Sequence, residues 1–274
     1  MDGLFKAGRW CFALAFAAFG VEYAVLGRFL QGLPLFPPWV PGGQILPRVV
    51  GISVLAAGLG VLVNTDWKKA ATLLGGLLLG CAAFLYLPWL ATSVRDPGPW
   101  TMGAEALCLC GGAFVLASAA RSKRVYPPLV ERAIAAGNPI FAAPLLVFGA
   151  QHFLYSRFIS TLIPEWIPGR PLWPGFVGAA FVAAALSIGL DVKRTLGAAL
   201  LSAMLLSWVF IVHLPRIAAA PEKVDEWTSG LVALAVGGAA LVVAAVSARR
   251  SRAPAADRPR LRAVDGAPSV DQAG

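Results

Sequence analysis

Glu22, Glu105, His152 and His213 stand inside long apolar runs of this 274-residue chain. An ionisable group at the centre of a membrane costs on the order of 2.5–3.5 kcal/mol, so each needs a partner or a purpose. Their neighbours suggest one. Glu22 is followed by Tyr23 and then Arg28, and Tyr86 comes shortly before Pro88. Later in the chain the pattern returns with other chemistry: Gln151 and His152 precede Arg157, and His213 precedes Pro215. We read two polar pockets, the first lined by Glu22, Tyr23, Tyr86 and Glu105, the second by Gln151, His152 and His213, with Arg28 and Arg157 near the mouths. Imidazole and guanidinium can donate to the carbonyl oxygens of a quinone, which makes a quinone headgroup the expected ligand. The competing reading is structural: buried Tyr and His satisfy one another, or a carbonyl freed by the nearby proline. Two histidines without further ligands are an incomplete metal set, and no metal site is expected.

The elements that must position these residues are membrane helices. The chain is 58% hydrophobic and 14% charged, with a mean hydropathy of +0.72, too apolar for a soluble domain of this length. A spanning helix needs about 20 apolar residues. Eight segments qualify: 10–30, 45–64, 70–91, 101–120, 139–159, 172–190, 195–214 and 228–248. Lys6 and Arg9 ahead of the first imitate a signal peptide, but Phe19-Gly20 reappears as Phe148-Gly149 in mid-chain, so a retained helix is expected. At 1.5 Å per residue Glu22 lies about 12 Å below the outer end of its span and Glu105 about 7 Å below its own, close enough in depth to meet. Cys11, Cys81, Cys108 and Cys110 all lie in or beside spans, without a C-x-x-C pair, and read as small buried hydrophobes.

The spans are written twice. Phe19-Gly20 through Arg28-Phe29 recurs as Phe148-Gly149 through Arg157-Phe158. After a two-residue contraction Pro37-x-Trp39-x-Pro41-Gly42 returns as Pro164-x-Trp166-x-Pro168-Gly169, Leu87-Pro88 as Leu214-Pro215, and Trp100-Thr101-x-Gly103 as Trp227-Thr228-x-Gly230. A constant offset over so many non-aliphatic positions indicates a tandem repeat. The expected fold is therefore an all-α membrane protein of eight transmembrane helices, two parallel-repeat four-helix bundles packed through Gly75-Gly76, Gly111-Gly112 and Gly237-Gly238. Residues 1–120 form the first repeat, 121–137 a cytoplasmic linker, 138–248 the second repeat and 249–274 a disordered basic cytoplasmic tail. Under the repeat Glu22 becomes Gln151, Tyr23 His152, Tyr86 His213 and Glu105 Val232. The Pro-Trp loops are rigid and nearly donor-free, suited to the lipid interface, with Trp39 and Trp166 as headgroup-level anchors or as a lid over a lipid-accessible cavity.

The net charge of +9 is a matter of orientation, not nucleic-acid binding. Sixteen Lys and Arg fall on the side of the termini and seven on the side of the Pro-Trp loops, which by the positive-inside rule puts both termini in the cytoplasm. No phosphate loop, dinucleotide fingerprint, nucleophile elbow or H-E-x-x-H motif is present.

Phe148-Gly149-Ala150-Gln151-His152, the Pro-x-Trp-x-Pro-Gly loop, and Trp173 with Gly178 opening the next helix resemble the DoxX-like family of bacterial membrane proteins. The second half is closer to that pattern; the first carries Tyr23 in the histidine position. The resemblance implies a multi-pass protein of the bacterial inner membrane that serves as a non-catalytic or quinone-interacting subunit, or as an accessory, of a periplasm-facing redox system. The partners it implies are the bilayer and a redox-enzyme complex or other membrane subunits. A structural or assembly subunit of a larger complex, and a carrier for a small solute or lipid, are the alternatives.

Overall fold

The computed structural model describes residues 2–28, 40–41, 43–64 and 66–252. Most of the first Pro-Trp loop, Trp39 included, and the tail from residue 253 lie outside the described residues. Among the described residues the chain is all helical, without a strand. Seven helices are long and apolar enough to cross a membrane, and an eighth crossing results if two helices bent by 52° form one broken span. This is a multi-pass membrane protein.

The helices are α1 (Asp2–Leu26), α2 (Ile45–Val63), α3 (Lys68–Cys81), α4 (Leu87–Thr92), α5 (Pro97–Ser118), α6 (Pro128–Ala135), α7 (Gly137–Leu154), α8 (Ser156–Leu162), α9 (Trp173–Gly189), α10 (Arg194–Trp208), α11 (Leu214–Ala219) and α12 (Val224–Arg252). Hydropathy places the first span from residue 10, yet α1 starts at Asp2: polar Lys6 and Arg9 end the apolar run without ending the helix. Arg9 earns its place there, donating to the carbonyls of Val61 at 2.7 Å and Leu62 at 2.8 Å and so satisfying the open C-terminal end of α2. The span read over 139–159 is broken at Tyr155, where α7 stops and α8 begins. Pro97 at the first turn and Asp96, whose side chain accepts from the Gly98 amide at 2.9 Å, start α5.

Packing follows from aromatic stripes and glycine contacts. Phe12, Phe16, Phe19 and Tyr23 recur at helical spacing on α1 and are fully buried. On another side α1 is smooth: a methyl at Gly20 would meet the Gly51 carbonyl oxygen at 2.7 Å, and one at Gly8 would meet the Gly238 carbonyl oxygen at 2.7 Å. Van der Waals closeness of this kind drives helix association where lipid removes the hydrophobic drive. The order of neighbours is α1 on α2, α2 on α3, α3 on α5, α5 on α7, α7 on α9, α9 on α10, α10 on α12, and α12 back on α1, with α5 also touching α12. One hydrophobic core runs through both halves of the sequence.

The glycine pairs expected at helix contacts divide. Gly75 lies under the Phe114 ring, Gly111 against Ile140 and Phe141, Gly112 against Ala239, Gly237 against Leu206, and Gly238 against Gly8, Cys11 and Phe12. Gly76 differs, with nothing within 4 Å, because it faces away from every neighbouring helix. This contrast gives a test. Gly20→Val should lower the melting temperature of the detergent-purified protein, with an overpacking penalty of at least roughly 1–3 kcal/mol. Gly76→Ala should leave it unchanged or raise it, since alanine is the better helix former by about 1 kcal/mol.

Candidate functional site

Both Leu-Pro steps deform their helices in the same way. Proline lacks an amide donor, and its ring crowds the carbonyl four residues earlier. The chain answers with a π-helical turn, Ala82–Tyr86 ahead of Pro88 and Val209–His213 ahead of Pro215. Each wide turn ends on a titratable side chain resting on a glycine of the following long helix: a methyl at Gly103 would lie 3.2 Å from Tyr86 Cβ, and one at Gly230 would lie 3.3 Å from His213 Cβ. The other member of each pair comes from α1 or α7. Tyr23 Cβ lies against Gly51 and His152 Cβ against Gly178. Residues that correspond under the internal repeat thus make corresponding contacts.

In the first half Tyr23 and Tyr86 are fully buried, and Tyr86 lies within electrostatic reach of Tyr23, Cys81 and Glu105. Glu105 is half-buried on α5, one turn before Cys108. In the second half His152 is half-buried, with Nδ1 2.8 Å from the Phe148 carbonyl oxygen and its ring 5.2 Å from that of Phe181. A carbonyl can only accept, so Nδ1 carries the proton and the neutral ring offers Nε2 as an acceptor. From sequence the imidazole is expected as a donor; with Nδ1 turned to the Phe148 carbonyl, the atom left for another group is Nε2. His213 has a buried Nδ1 without a partner, within electrostatic reach of Arg216 and Glu226.

Glu22 and Gln151 belong to other surroundings. Helical residues one apart diverge by about 100°, so with Tyr23 and His152 turned toward their own halves the preceding residues face elsewhere. Glu22 reaches the Thr228 hydroxyl on α12, with its second carboxyl oxygen buried and unpartnered. Gln151 Nε2 donates to Thr101 Oγ1 at 2.9 Å and to the Pro97 carbonyl at 3.3 Å, on α5. Glu22–Thr228 and Gln151–Thr101 correspond under the repeat, each joining the first long helix of one half to the last of the other. The meeting of Glu22 with Glu105 that equal depth allowed is thus not what the structure brings about, since the two have different neighbours. Arg28 and Arg157 are exposed, Arg28 just beyond α1 and Arg157 on α8 past the break at Tyr155.

Trp166 is exposed and lines a groove of about 500 Å³ with Trp173 and Phe176 of α9, Met204 and Trp208 of α10, and Ile211 of the following π turn. The histidines do not line it. His213 follows Ile211 by two residues, about 200° round a helix, and so points to the far side. Sequence reading had Trp166 as an interfacial anchor or a lid over a lipid-accessible cavity, but passed over Phe176, Met204 and Trp208, over Thr101 and Thr228 as partners, and over the Arg216–Glu226 pair. Arg216 Nε and Nη2 each donate to Glu226 at 2.8 Å, and Nη1 donates to the Leu162 carbonyl at 3.1 Å. The repeated Trp-Thr-x-Gly signalled the threonines; the aromatics are spread over two helices and carried no local signal. Among the described residues no three His, Cys, Asp or Glu side chains gather as a metal set would. Cys81, Cys108 and Cys110 are buried free thiols.

Compared with protein-family models, with curated proteins and with solved structures, the chain matches none. The DoxX likeness rests on the motif residues alone.

The seam and the ion pair should differ in weight. Thr101→Val removes the seam hydrogen bond from Gln151, along with the hydroxyl's own local bond to the Pro97 carbonyl, and should cost about 0.6 kcal/mol, the typical size of one interhelical bond in a membrane. Arg216→Leu strands the Glu226 carboxylate and should cost more, on the order of 2 kcal/mol. Unfolding of the detergent-solubilised variants by increasing SDS checks the order.

Proposed function

We propose that the chain is a DoxX-like protein of the bacterial inner membrane, built from two parallel four-helix repeats, whose second repeat binds the headgroup of a quinone or similar amphiphile. In this reading it serves as a membrane subunit or accessory of a periplasm-facing redox system, with both termini cytoplasmic. The arrangement of repeats is supported by contacts that recur between corresponding residues: Gly20 against Gly51 and Gly149 against Gly178, Gly8 against Val242 and Gly137 against Val115. The orientation is supported by the excess of Lys and Arg on the side of the termini.

The observation that carries the ligand reading is the pair of imidazoles held by matched glycine contacts at the positions that two tyrosines take in the first repeat. Where Tyr23, Tyr86 and Glu105 form a polar cluster of their own, the second repeat replaces the carboxylate with Val232 and leaves a polar atom of His213 unpartnered. A buried polar atom without a partner is costly, and a ligand group that supplies the partner recovers that cost. His152 Nε2 would accept from a quinol hydroxyl, and His213 Nδ1 would meet a second polar atom of the headgroup.

Quinone retained by the purified protein, extracted and quantified by its redox difference spectrum, is the test. His152→Ala should lower the retained quinone about tenfold, equivalent to about 1.4 kcal/mol, whereas His152→Gln, which keeps an acceptor, should retain it. Equal retention by wild type and His152→Ala sinks the reading in favour of a purely structural or assembly subunit.

A further inference from the structure

The groove between α9 and α10 is separate from the histidines and has its own design. It adjoins a small hydrophobic cluster of Ile163, Ile167 and Val212 with Trp173 and Trp208, of which Ile167 and the two tryptophans line the groove. Trp173 packs edge-on against both Phe176, at 5.8 Å, and Trp208, at 5.4 Å. The loop that roofs it is pinned from three sides: Trp173 Nε1 donates to the Pro168 carbonyl at 3.0 Å, Arg216 to the Leu162 carbonyl, and Arg170 to the Thr161 carbonyl. The groove is therefore preformed, as ligand sites usually are.

Its chemistry narrows the occupant. The one hydroxyl in the wall, Ser207, is spent on the Met204 carbonyl at 2.7 Å, so the cavity presents hydrocarbon and aromatic surface. From Ile211 to Ala203 the wall follows the π turn and the end of α10 for about 12 Å, along the direction in which this helical segment would cross the bilayer. Phe176, Ile211, Ala203 and Ser207 are exposed, so the groove opens sideways on the flank of two candidate spans, where lipid is the solvent. On the turn between two of its lining residues, Ile167 and Trp173, stands Arg170, which is not itself part of the lining. Its partly exposed guanidinium is held only by long contacts, Nη2 to the Thr161 carbonyl at 3.4 Å and Nη1 to Glu165 at 3.6 Å, a carboxylate that is almost wholly solvent-exposed. An apolar channel beside an underused guanidinium matches one kind of molecule, a chain carrying an anionic oxygen group at its end.

The first repeat lacks these features. Trp173, Phe176, Trp208 and Arg170 correspond to Leu46, Val49, Cys81 and Gly43. Trp166 and Ile211 correspond to Trp39 and Phe84, so part of the aromatic lining is shared, whereas Trp173, Phe176, Trp208 and the cation occur together in one repeat only.

We propose that this groove is a specific phospholipid site: one acyl chain lies between α9 and α10 against Trp173, Phe176 and Trp208, and the lipid phosphate is held by Arg170. The site is independent of the quinone reading, because the two histidines face away from it.

The test uses full-length protein reconstituted in vesicles of phosphatidylcholine containing phosphatidylglycerol with dibrominated acyl chains, bromine being a short-range quencher of tryptophan fluorescence. Native mass spectrometry of the detergent-purified protein measures the lipid carried along. Ala203→Phe combined with Ser207→Phe fills the groove from the exposed face of α10 and leaves the core untouched. It should cut both quenching and co-purified phospholipid about tenfold. Arg170→Gln should weaken capture of the brominated phosphatidylglycerol while leaving quenching by brominated diacylglycerol, which has no phosphate, unchanged. Lipid stoichiometry unaltered by the filled groove overturns the proposal, as does release of quinone in place of phospholipid. Equal loss of both brominated probes in Arg170→Gln overturns the role of the phosphate.

Discussion

Close backbone contact between the first long helix of one half and the last long helix of the other is the constraint from which the rest of the structure follows. In lipid, helices gain little from burying apolar side chains, and what holds them is the dispersion and polar contact that small residues permit. Gly8 on α1 against Gly238 and Val242 on α12, and Gly137 on α7 against Val115 on α5, bring these helices close enough for the backbones to touch. Once those seams are fixed, the rotation of α1 and α7 is fixed too. Glu22 and Gln151 then meet Thr228 and Thr101 across the seams, while Tyr23 and His152, about 100° further round, turn toward the helices of their own half.

A second constraint acts on the helices opposite. Pro88 and Pro215 each remove an amide from a helix that has no water to fall back on. Widening the preceding turn keeps the remaining backbone groups paired. It also inserts an extra residue into the turn, and that register change places Tyr86 and His213 on Gly103 and Gly230. The polar interior of each half is therefore a joint product of a glycine-lined seam and a proline-induced bulge. In the first half the two together put Tyr86 within electrostatic reach of Tyr23.

Much of this was legible in the sequence, and the limits have physical causes. Apolar run length pointed to eight crossings, of which seven stand as single helices among the described residues and an eighth needs a helix pair bent by 52°; the internal repeat proposed which residues correspond. It could not say which copy the fourth long helix packs against, because identical motifs would serve α5 against α1 or against α7. Glu22 was therefore assigned to the interior of its own half, when it belongs at the seam with Thr228. Helix ends were misplaced where polar residues continue a helix, as at Lys6 and Arg9, or where the backbone breaks inside an apolar run, as at Tyr155. Gly76 looked like a packing glycine beside Gly75, but one residue on a helix turns it to open space. The groove escaped because its walls come from residues some 30 apart, and its shape depends on the π turn separating Ile211 from His213.

The two halves share a scaffold and differ where chemistry would reside. A symmetric dimer of one four-helix unit must carry every substitution twice, so a residue that suits one site is imposed on its mate. A covalently joined repeat escapes that coupling. The first half retains phenols and a carboxyl that engage one another, and small side chains on the flank equivalent to the groove. The second exchanges those phenols for imidazoles, loses the carboxyl at Val232, and gains Arg170, Trp173, Phe176 and Trp208 around a cavity. Because the seam contacts are matched in both halves, these changes accumulate without disturbing the packing that holds the halves together. The asymmetry is thus local and chemical, carried by side chains whose supporting glycine contacts are matched in the two halves.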